Sequence, residues 1–379
     1  MSLSTLREDS ALRFDESSCL PLRSIYGQCR ACAHVCPRGV LKVSVESVAL
    51  EPGCIDCGRC VAVCPTQALA LADVDALDPP DSGEAIRIEC FKVPPKRLLP
   101  GTIRVPCCGS VSVGRLLELA ARQPDTVIAV VDRGWCASCN AGGGGAHPAR
   151  RSVDEATQWL ESVGTASQWL PRIEREDLDI EDMPEAIPRA REEPMPGNRA
   201  FAAVLEKAPE RARSVPSPMG ADGMPGHPAS ERRASPERQR QIEAIYRLAA
   251  RNGTHVPSEL FPHLWQSGAC VDHRICVALC PTGALSVETG PGVAVLTVNG
   301  STCIACGSCA RGCPESALVV AAHGGHRGVV EIAQHHPRNC DQCGAEYTSR
   351  DAEELLCAWC SKAQQFVDGI LGRAGRSNN

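Results

Sequence analysis

Four short segments constrain the chain more than anything else in it: Cys36-Pro37, Cys64-Pro65, Cys280-Pro281 and Cys313-Pro314 continue almost alike, as CPRGVL, CPTQAL, CPTGAL and CPESAL. A β-rich run follows each one, LKVSV at 41–45, LALA at 69–72, LSVET at 285–289 and LVVAA at 318–322. Internal self-similarity of this kind marks a duplicated unit. The chain is therefore predicted to repeat one cysteine-ended turn and strand four times, in two pairs. Cysteine supplies 24 of the 379 residues, against five Phe, five Trp and three Tyr, so sulfur rather than aromatic packing has to organise such small units. The length also exceeds one compact core, since a domain usually runs to about 100–200 residues.

The opening MSLSTLREDSALRFDESS has neither the apolar stretch of about 7–15 residues of a secretory signal nor a twin-arginine motif. No apolar run approaches the roughly 18 residues of a membrane span. A cytoplasmic location without a membrane span is expected, and in a reducing cytoplasm cysteines act as metal ligands or redox centres rather than disulfides. The formal charge of −6, with no basic block, argues against nucleic acid as a main partner.

The run Cys54-x2-Cys57-x2-Cys60-x3-Cys64-Pro65 recurs as Cys303-x2-Cys306-x2-Cys309-x3-Cys313-Pro314. Both resemble the bacterial ferredoxin motif, in which three thiolates of a tight loop hold one 4Fe-4S cluster and the fourth cysteine, beyond the proline turn, ligates its neighbour. The resemblance implies one cluster on Cys54, Cys57, Cys60 and Cys36, and another on Cys303, Cys306, Cys309 and Cys280. The two partner half-motifs depart from the pattern. In GQCRACAHVCP the first expected cysteine is Tyr26, leaving Cys29, Cys32 and Cys64, with Cys19 able to loop in as the fourth ligand in preference to a three-cysteine 3Fe-4S centre. In CVDHRICVALCP the second cysteine is His273, leaving Cys270, Cys276 and Cys313. There His273 either ligates iron or merely occupies the loop, as in seven-iron ferredoxins, which carry a 3Fe-4S cluster. Of the remaining histidines, His34 is expected in a loop, and His255, His263, His323, His326, His335 and His336 at the surface or beside a ligand.

Between 86 and 163 the pattern changes to strands alternating with cysteines and helices, which predicts a small α/β parallel-sheet domain. Cys90 ends IRIEC, Cys107 and Cys108 end TIRVPCC, and Cys136 and Cys139 end TVIAVVDRGWCASC, so five sulfurs should gather at carboxyl ends of neighbouring strands, where such folds place ligands. Ser152-x-x-Glu155 predicts a capping box for a helix with Val153, Ala156, Leu160 and Val163 inward, closed by Gly164. The stretch 85–165 resembles the delta subunit of methyl-viologen-reducing hydrogenases, on IRIEC, RVPCCG and the step from strand to WCASC. That resemblance implies a 2Fe-2S cluster and association with flavoproteins of the heterodisulfide-reductase kind. Trp135-Cys136-x2-Cys139 is also spelled like a thioredoxin dithiol. Thioredoxins, however, neither bring three further cysteines to the same strand ends nor follow the motif with glycines like Gly142 to Gly145. The glycine run lacks the Lys-Ser/Thr of a P-loop and is read as backbone near the cluster.

Cys340-x2-Cys343-Gly344 and Cys357-x2-Cys360 have the spacing of two knuckles around one tetrahedral ion. They resemble a zinc ribbon and the rubredoxin-like module of rubrerythrins, with Tyr347 as the following aromatic residue, and structural zinc is preferred over iron.

The expected fold class is α+β and α/β multidomain: a ferredoxin-like unit over 1–84, the α/β domain over 85–180, a proline-rich linker over 181–236, a helix and second ferredoxin-like unit over 237–333, and a zinc-ribbon-like module over 334–379. The helix should start at Ser235-Pro236, present Ile242, Ile245, Tyr246 and Ala249 on one face, stop at Gly253 and prop the third cysteine clump. Three or four 4Fe-4S clusters, one of them alternatively 3Fe-4S, plus a 2Fe-2S cluster and no nucleotide loop, flavin fingerprint or nucleophile–base pair describe a wire. The function expected is electron transfer within a multi-subunit oxidoreductase, with a flavoprotein, hydrogenase or molybdopterin enzyme as partner. The alternatives are a thiol–disulfide oxidoreductase using Cys136 and Cys139, and a redox-sensing adaptor.

Overall fold

The computed structural model describes residues 4–75, 85–177, 235–268, 270–290, 292–350 and 353–374, so nearly all of the proline-rich stretch lies outside the described residues. Mixed helix and sheet, parallel and antiparallel, make up the fold.

The N-terminal unit runs β1 (Ser4–Thr5), β2 (Arg13–Phe14), α1 (Leu20–Arg23), α2 (Ala31–Val35), β3 (Leu41–Val43), β4 (Val48–Leu50), α3 (Arg59–Ala62), β5 (Leu69–Ala70) and α4 (Ala72–Asp75). Strands β1, β2 and β5 form one antiparallel sheet and β3 with β4 a hairpin. Leu12, Phe14, Leu41 and Leu69 close a core whose partly buried margin is made by Cys19, Cys32, Cys36, Cys54 and Cys60. His34, expected in a loop, is exposed on α2, because the turn before Cys36 winds as helix.

In the middle unit the sheet is wholly parallel, in the order β7 (Ile103–Val105), β6 (Ala85–Cys90), β8 (Val127–Asp132), β9 (Arg172–Arg175). Ile86, Ile88, Ile128 and Val130 are fully buried, as strands covered on both faces require. Helices α5 (Val113–Arg122) and α6 (Arg150–Ser162) cover it. The inward residues of α6 are those expected, Val153, Ala156 and Leu160, with Val163 and then Gly164 in the left-handed region at φ 76°. The capping box is not formed: α6 starts two residues before Ser152, with Ala149 as its N-cap, and the Ser152 hydroxyl donates back to the Ala149 carbonyl at 3.1 Å.

Helix α7 (Pro236–Asn252) begins and ends as its sequence dictates, with Ser235 accepting from the Arg238 amide, Pro236 at the first position and Gly253 left-handed at φ 66°. Its apolar face does not prop the third cysteine clump. Ala244, Ile245, Leu248 and Ala249 instead enter the core of the middle unit beside α5. The reason lies in α5, where Leu116 and Leu117 are adjacent and both fully buried. Together with buried Gly114, Leu119 and Ala120 they spread over about 220° of the helix at about 100° per residue, more than the sheet alone covers. Glu237 locks this docking: its carboxylate accepts from the Gly114 amide at 2.6 Å and the Ser112 hydroxyl at 2.8 Å, in the first turn of α5.

The second cysteine-rich unit comprises β10 (Pro262–Gln266), α8 (Ile275–Leu279), β11 (Leu285–Gly290), β12 (Val293–Asn299), α9 (Ser308–Arg311), β13 (Leu318–Gly324) and β14 (Val329–Asn339). β10 pairs with β13, and a second antiparallel sheet runs β11, β12, β14, β15 (Glu346–Ser349), before α10 (Ala358–Ala374). β14 therefore crosses the boundary expected at 333/334 as one strand. His335 on it is 1 % exposed, whereas His255, His263, His323, His326 and His336 are exposed as expected. The two-residue period places His335 on the same inward face as Ala333. Among the described residues, no helix is long and apolar enough to cross a membrane.

Candidate functional site

One local geometry recurs at every cysteine-proline step. The third residue after the cysteine turns left-handed, at Gly39 (φ 62°), Gln67 (φ 51°), Gly283 (φ 67°) and Ser316 (φ 50°). The next amide then points back at the sulfur: Ala68, Ala284 and Ala317 donate to the Sγ atoms of Cys64, Cys280 and Cys313 at 3.2, 3.2 and 3.3 Å. The tight loops share a second signature, left-handed residues on both sides of the middle ligand position: Asp56 and Gly58 around Cys57, Ala305 and Gly307 around Cys306, Asp272 and Arg274 around His273. His273 thus occupies the place of a cysteine in an otherwise equivalent loop.

These loops enclose four small apolar hollows, each lined by a different set of thiols. Cys19, Cys29, Cys32 and Cys64 share one, with Phe14 and Leu69. Cys36, Cys54, Cys57 and Cys60 share the second, with Val40 and Leu50. The third holds Cys280, Cys303, Cys306 and Cys309. The fourth holds Cys270, Cys276 and Cys313, with His273 at its wall. The His273 Nε2 lies 3.3 Å from Glu315 Oε1, and the same carboxylate accepts from Lys362. Tyr26 lies outside the first hollow, whereas Cys19 reaches it at the end of the turn before α1.

Burial dominates the acidity of these thiols. It pushes Cys19 and Cys276 up to about 12, Cys32, Cys57 and Cys303 up to about 11, and Cys60 and Cys309 well above the ordinary thiol range. Neutral thiols are what an apolar hollow tolerates, and a bound cation is what would turn them into thiolates.

At the carboxyl end of the parallel sheet, Cys90 closes β6, Cys107 and Cys108 follow β7, and Cys136 and Cys139 follow β8. The strand order reverses between β6 and β8, the position where parallel sheets open a crevice. A buried ion pair pins the two strand ends, with Arg133 donating through Nε and Nη2 to Glu89 at 2.9 and 2.8 Å. The Cys108 thiol donates to Cys90 and, with the Lys92 and Val93 amides and the Trp135 indole, outweighs burial and draws Cys90 down to about 6. Burial, with Asp132 adding to it, pushes Cys136 up to about 12. Gly142 has to be glycine, since a Cβ there would lie 1.7 Å from the Cys136 carbonyl oxygen. Asp132 and His147 were not expected at this site, yet their ligand atoms and the Cys136 sulfur all lie within 4.8 Å of one another. The only sequence signals for them are the strand-end position of Asp132 and the place of His147 just past the glycine run.

Cys340, Cys343, Cys357 and Cys360 are brought together differently. All four sulfurs lie within 4.8 Å of one another, and Cys343 and Cys357 are 3.8 Å apart. Thiolates bound tetrahedrally to one ion at about 2.3 Å stand about 3.8 Å from each other, so the spacing suits a single ion. Gly344, left-handed at φ 69°, returns its amide to the Cys340 carbonyl at 2.8 Å, closing the first knuckle.

No family model matches the chain. A segment of 87 residues, 22 % of the chain, is 34 % identical to a protein of Pyrococcus furiosus described as aliphatic sulfonate oxidoreductase, polyferredoxin-like subunit, and covers 49 % of it. The chain thus spans about half the length of the curated relative it matches, and the likeness supports a ferredoxin-type, iron–sulfur character.

Proposed function

We propose that the chain is an iron–sulfur electron-transfer subunit of a multi-subunit oxidoreductase. The observation that carries this reading is the set of four apolar hollows, each walled by three or four cysteines from the repeated loops. Three of them offer the four thiols a 4Fe-4S cluster requires: Cys19, Cys29, Cys32 and Cys64; Cys36, Cys54, Cys57 and Cys60; and Cys280, Cys303, Cys306 and Cys309. The fourth offers Cys270, Cys276 and Cys313. Because the His273 Nε2 faces Glu315, the reading adopted for this hollow is a 3Fe-4S centre without histidine ligation. Cys90, Cys107, Cys108, Cys136 and Cys139 supply the ligands of a 2Fe-2S cluster, and the C-terminal four-cysteine site holds zinc.

Bound clusters supply one-electron chemistry at potentials set by charge, exposure and hydrogen bonds to sulfur. The chain's own part is to hold the thiolates, to aim the Ala68, Ala284 and Ala317 amides at them, and to keep water out with Phe14, Val40, Leu50 and Leu69. Substrate chemistry falls to a partner, which we place among flavoproteins, hydrogenases and molybdopterin enzymes. Support for a complex comes from the relative, whose description is that of an oxidoreductase subunit. A dithiol enzyme at Cys136 and Cys139 fits less well, because Cys90, Cys107 and Cys108 stand at the neighbouring strand ends of the same sheet.

Metal analysis and EPR of anaerobically prepared protein test the reading. Ligand counting gives about 17 iron atoms and one zinc per chain. Fewer than about ten irons would overturn it, by the same ligand counting.

A further inference from the structure

The cysteine loops of the three units touch at two joints, and each joint is closed by one arginine belonging to a cysteine loop. Arg59 sits between Cys57 and Cys60, and its Nη1 donates to the carbonyls of Ala141 at 2.9 Å and Gly142 at 3.2 Å, just past Cys139. Next to it, Gly58 approaches so closely that a Cβ would lie 2.7 Å from Ser110 Cβ, just past Cys108. Arg311 sits between Cys309 and Cys313. Its Nη2 donates to the Cys306 carbonyl at 2.7 Å and its Nε to the Tyr26 carbonyl at 2.9 Å, three residues before Cys29. The neighbouring Gly312 leaves room for the Tyr26 ring, whose Cδ2 would be 3.1 Å from a Cβ there.

The joints lie beside opposite hollows of the N-terminal unit, one next to Cys57 and the other three residues before Cys29. In the second unit the joint falls on the hollow of Cys306, which leaves the three-cysteine hollow farthest along.

We infer that the sites stand in single file, from the Cys90 strand ends through the hollows of Cys57, Cys29 and Cys306 to that of Cys270, with Arg59 and Arg311 as the positioning residues that close the file. The inference rests on the iron–sulfur reading above. Transfer along such a file moves one electron at a time and no atoms, one site being oxidised as its neighbour is reduced. The far end is latched to the C-terminal module, where Thr348 donates to Asp272 at 2.9 Å and Lys362 to Glu315.

Full-length protein reduced anaerobically with excess dithionite tests this by EPR, which reads magnetic coupling between neighbouring centres. Cys309→Ala takes a thiol from the hollow facing Cys29 and is expected to narrow the signals of the N-terminal unit. In an Arg311→Ala background, with that arginine variant retaining the iron content of the wild type, the same change is expected to have no further effect. Arg59→Ala is expected to remove coupling to the strand-end centre while leaving the Arg311 joint intact. Arg311→Lys provides a milder variant, which keeps one carbonyl contact and is expected to lose part of the coupling. If Cys309→Ala leaves the N-terminal signals unchanged while the other centres are loaded, the single file is overturned. If coupling survives Arg311→Ala, the positioning role is overturned. Little iron in the wild type overturns the iron–sulfur reading itself, and iron analysis of the same samples separates that failure from the others.

Discussion

Removing the Glu237 carboxylate should loosen the middle unit where α7 docks on α5. This side chain on the first turn of α7 is buried and accepts from the Gly114 amide, the Ser112 hydroxyl, Arg240 and Gln241. It covers the start of α5, where backbone donors lack partners in their own helix and the helix dipole favours a negative charge. A hydrogen bond to a charged group is worth about 1.5–3 kcal/mol, so losing those from Gly114 and Ser112 should cost about 3–6 kcal/mol in Glu237→Ala. Several units make a single unfolding transition an unsafe measure, whereas hydrogen exchange reads the opening locally. Amide exchange in the first turn of α5 should therefore accelerate roughly a hundredfold or more, since about 1.4 kcal/mol corresponds to a factor of ten. Glu237→Gln, which keeps one acceptor but turns a donor toward Ser112 or Gly114, should fall between. Exchange in Glu237→Ala within about threefold of wild type, less than 1 kcal/mol, would refute the reasoning that this carboxylate fastens α7 to α5.

Three further outcomes concern the sites. Cys136→Ser should abolish the 2Fe-2S signal in EPR and leave the other centres, because the parallel sheet is a scaffold of its own; loss of all signals together would contradict this. His273→Cys should raise the iron content by about one atom per chain and remove the oxidised three-iron signal, whereas His273→Ala should leave that signal in place, since three thiols suffice for such a centre. A chelator should strip the Cys340 site more readily as pH falls, because the metal-bearing form requires deprotonated thiols. The backbone amide of Cys357 draws Cys340 down while burial and the neighbouring thiols drive Cys360 up. Metal retention independent of pH between 5 and 8 would count against a thiolate site.

What could be read from the chain alone was what short-range spacing controls. Cysteines three residues apart in one tight loop face one small volume, whereas the placing of Cys64 beside Cys29 and Cys32, and of Cys36 beside Cys54, Cys57 and Cys60, followed from the resemblance to ferredoxins and not from spacing. The start and stop of α7 were legible too, because Ser235, Pro236 and Gly253 act on their own backbone. Its docking was not, since a helix with an apolar face carries no label for the surface that will cover it. Ser152 misled for a related reason: the box spells a helix start, but the chain was already helical at Arg150, so the hydroxyl found a carbonyl instead of an amide. Arg59 and Arg311 look like ordinary surface charges in the sequence, and only the approach of distant loops gives their donors the carbonyls they bind.

The continuity of β14 has a consequence for how the last part of the chain could be lost or exchanged. Its first half pairs with β12 and its last four residues with β15, so the four-cysteine module has no seam of its own. Cutting the chain after residue 333 would leave β12 an open edge opposite Val295 and Ala294, with their backbone groups free to recruit a strand from another molecule. The module therefore acts as an end-stop for the sheet as well as a candidate metal site, and a truncated chain should self-associate before it loses any of the cysteines that line the four hollows.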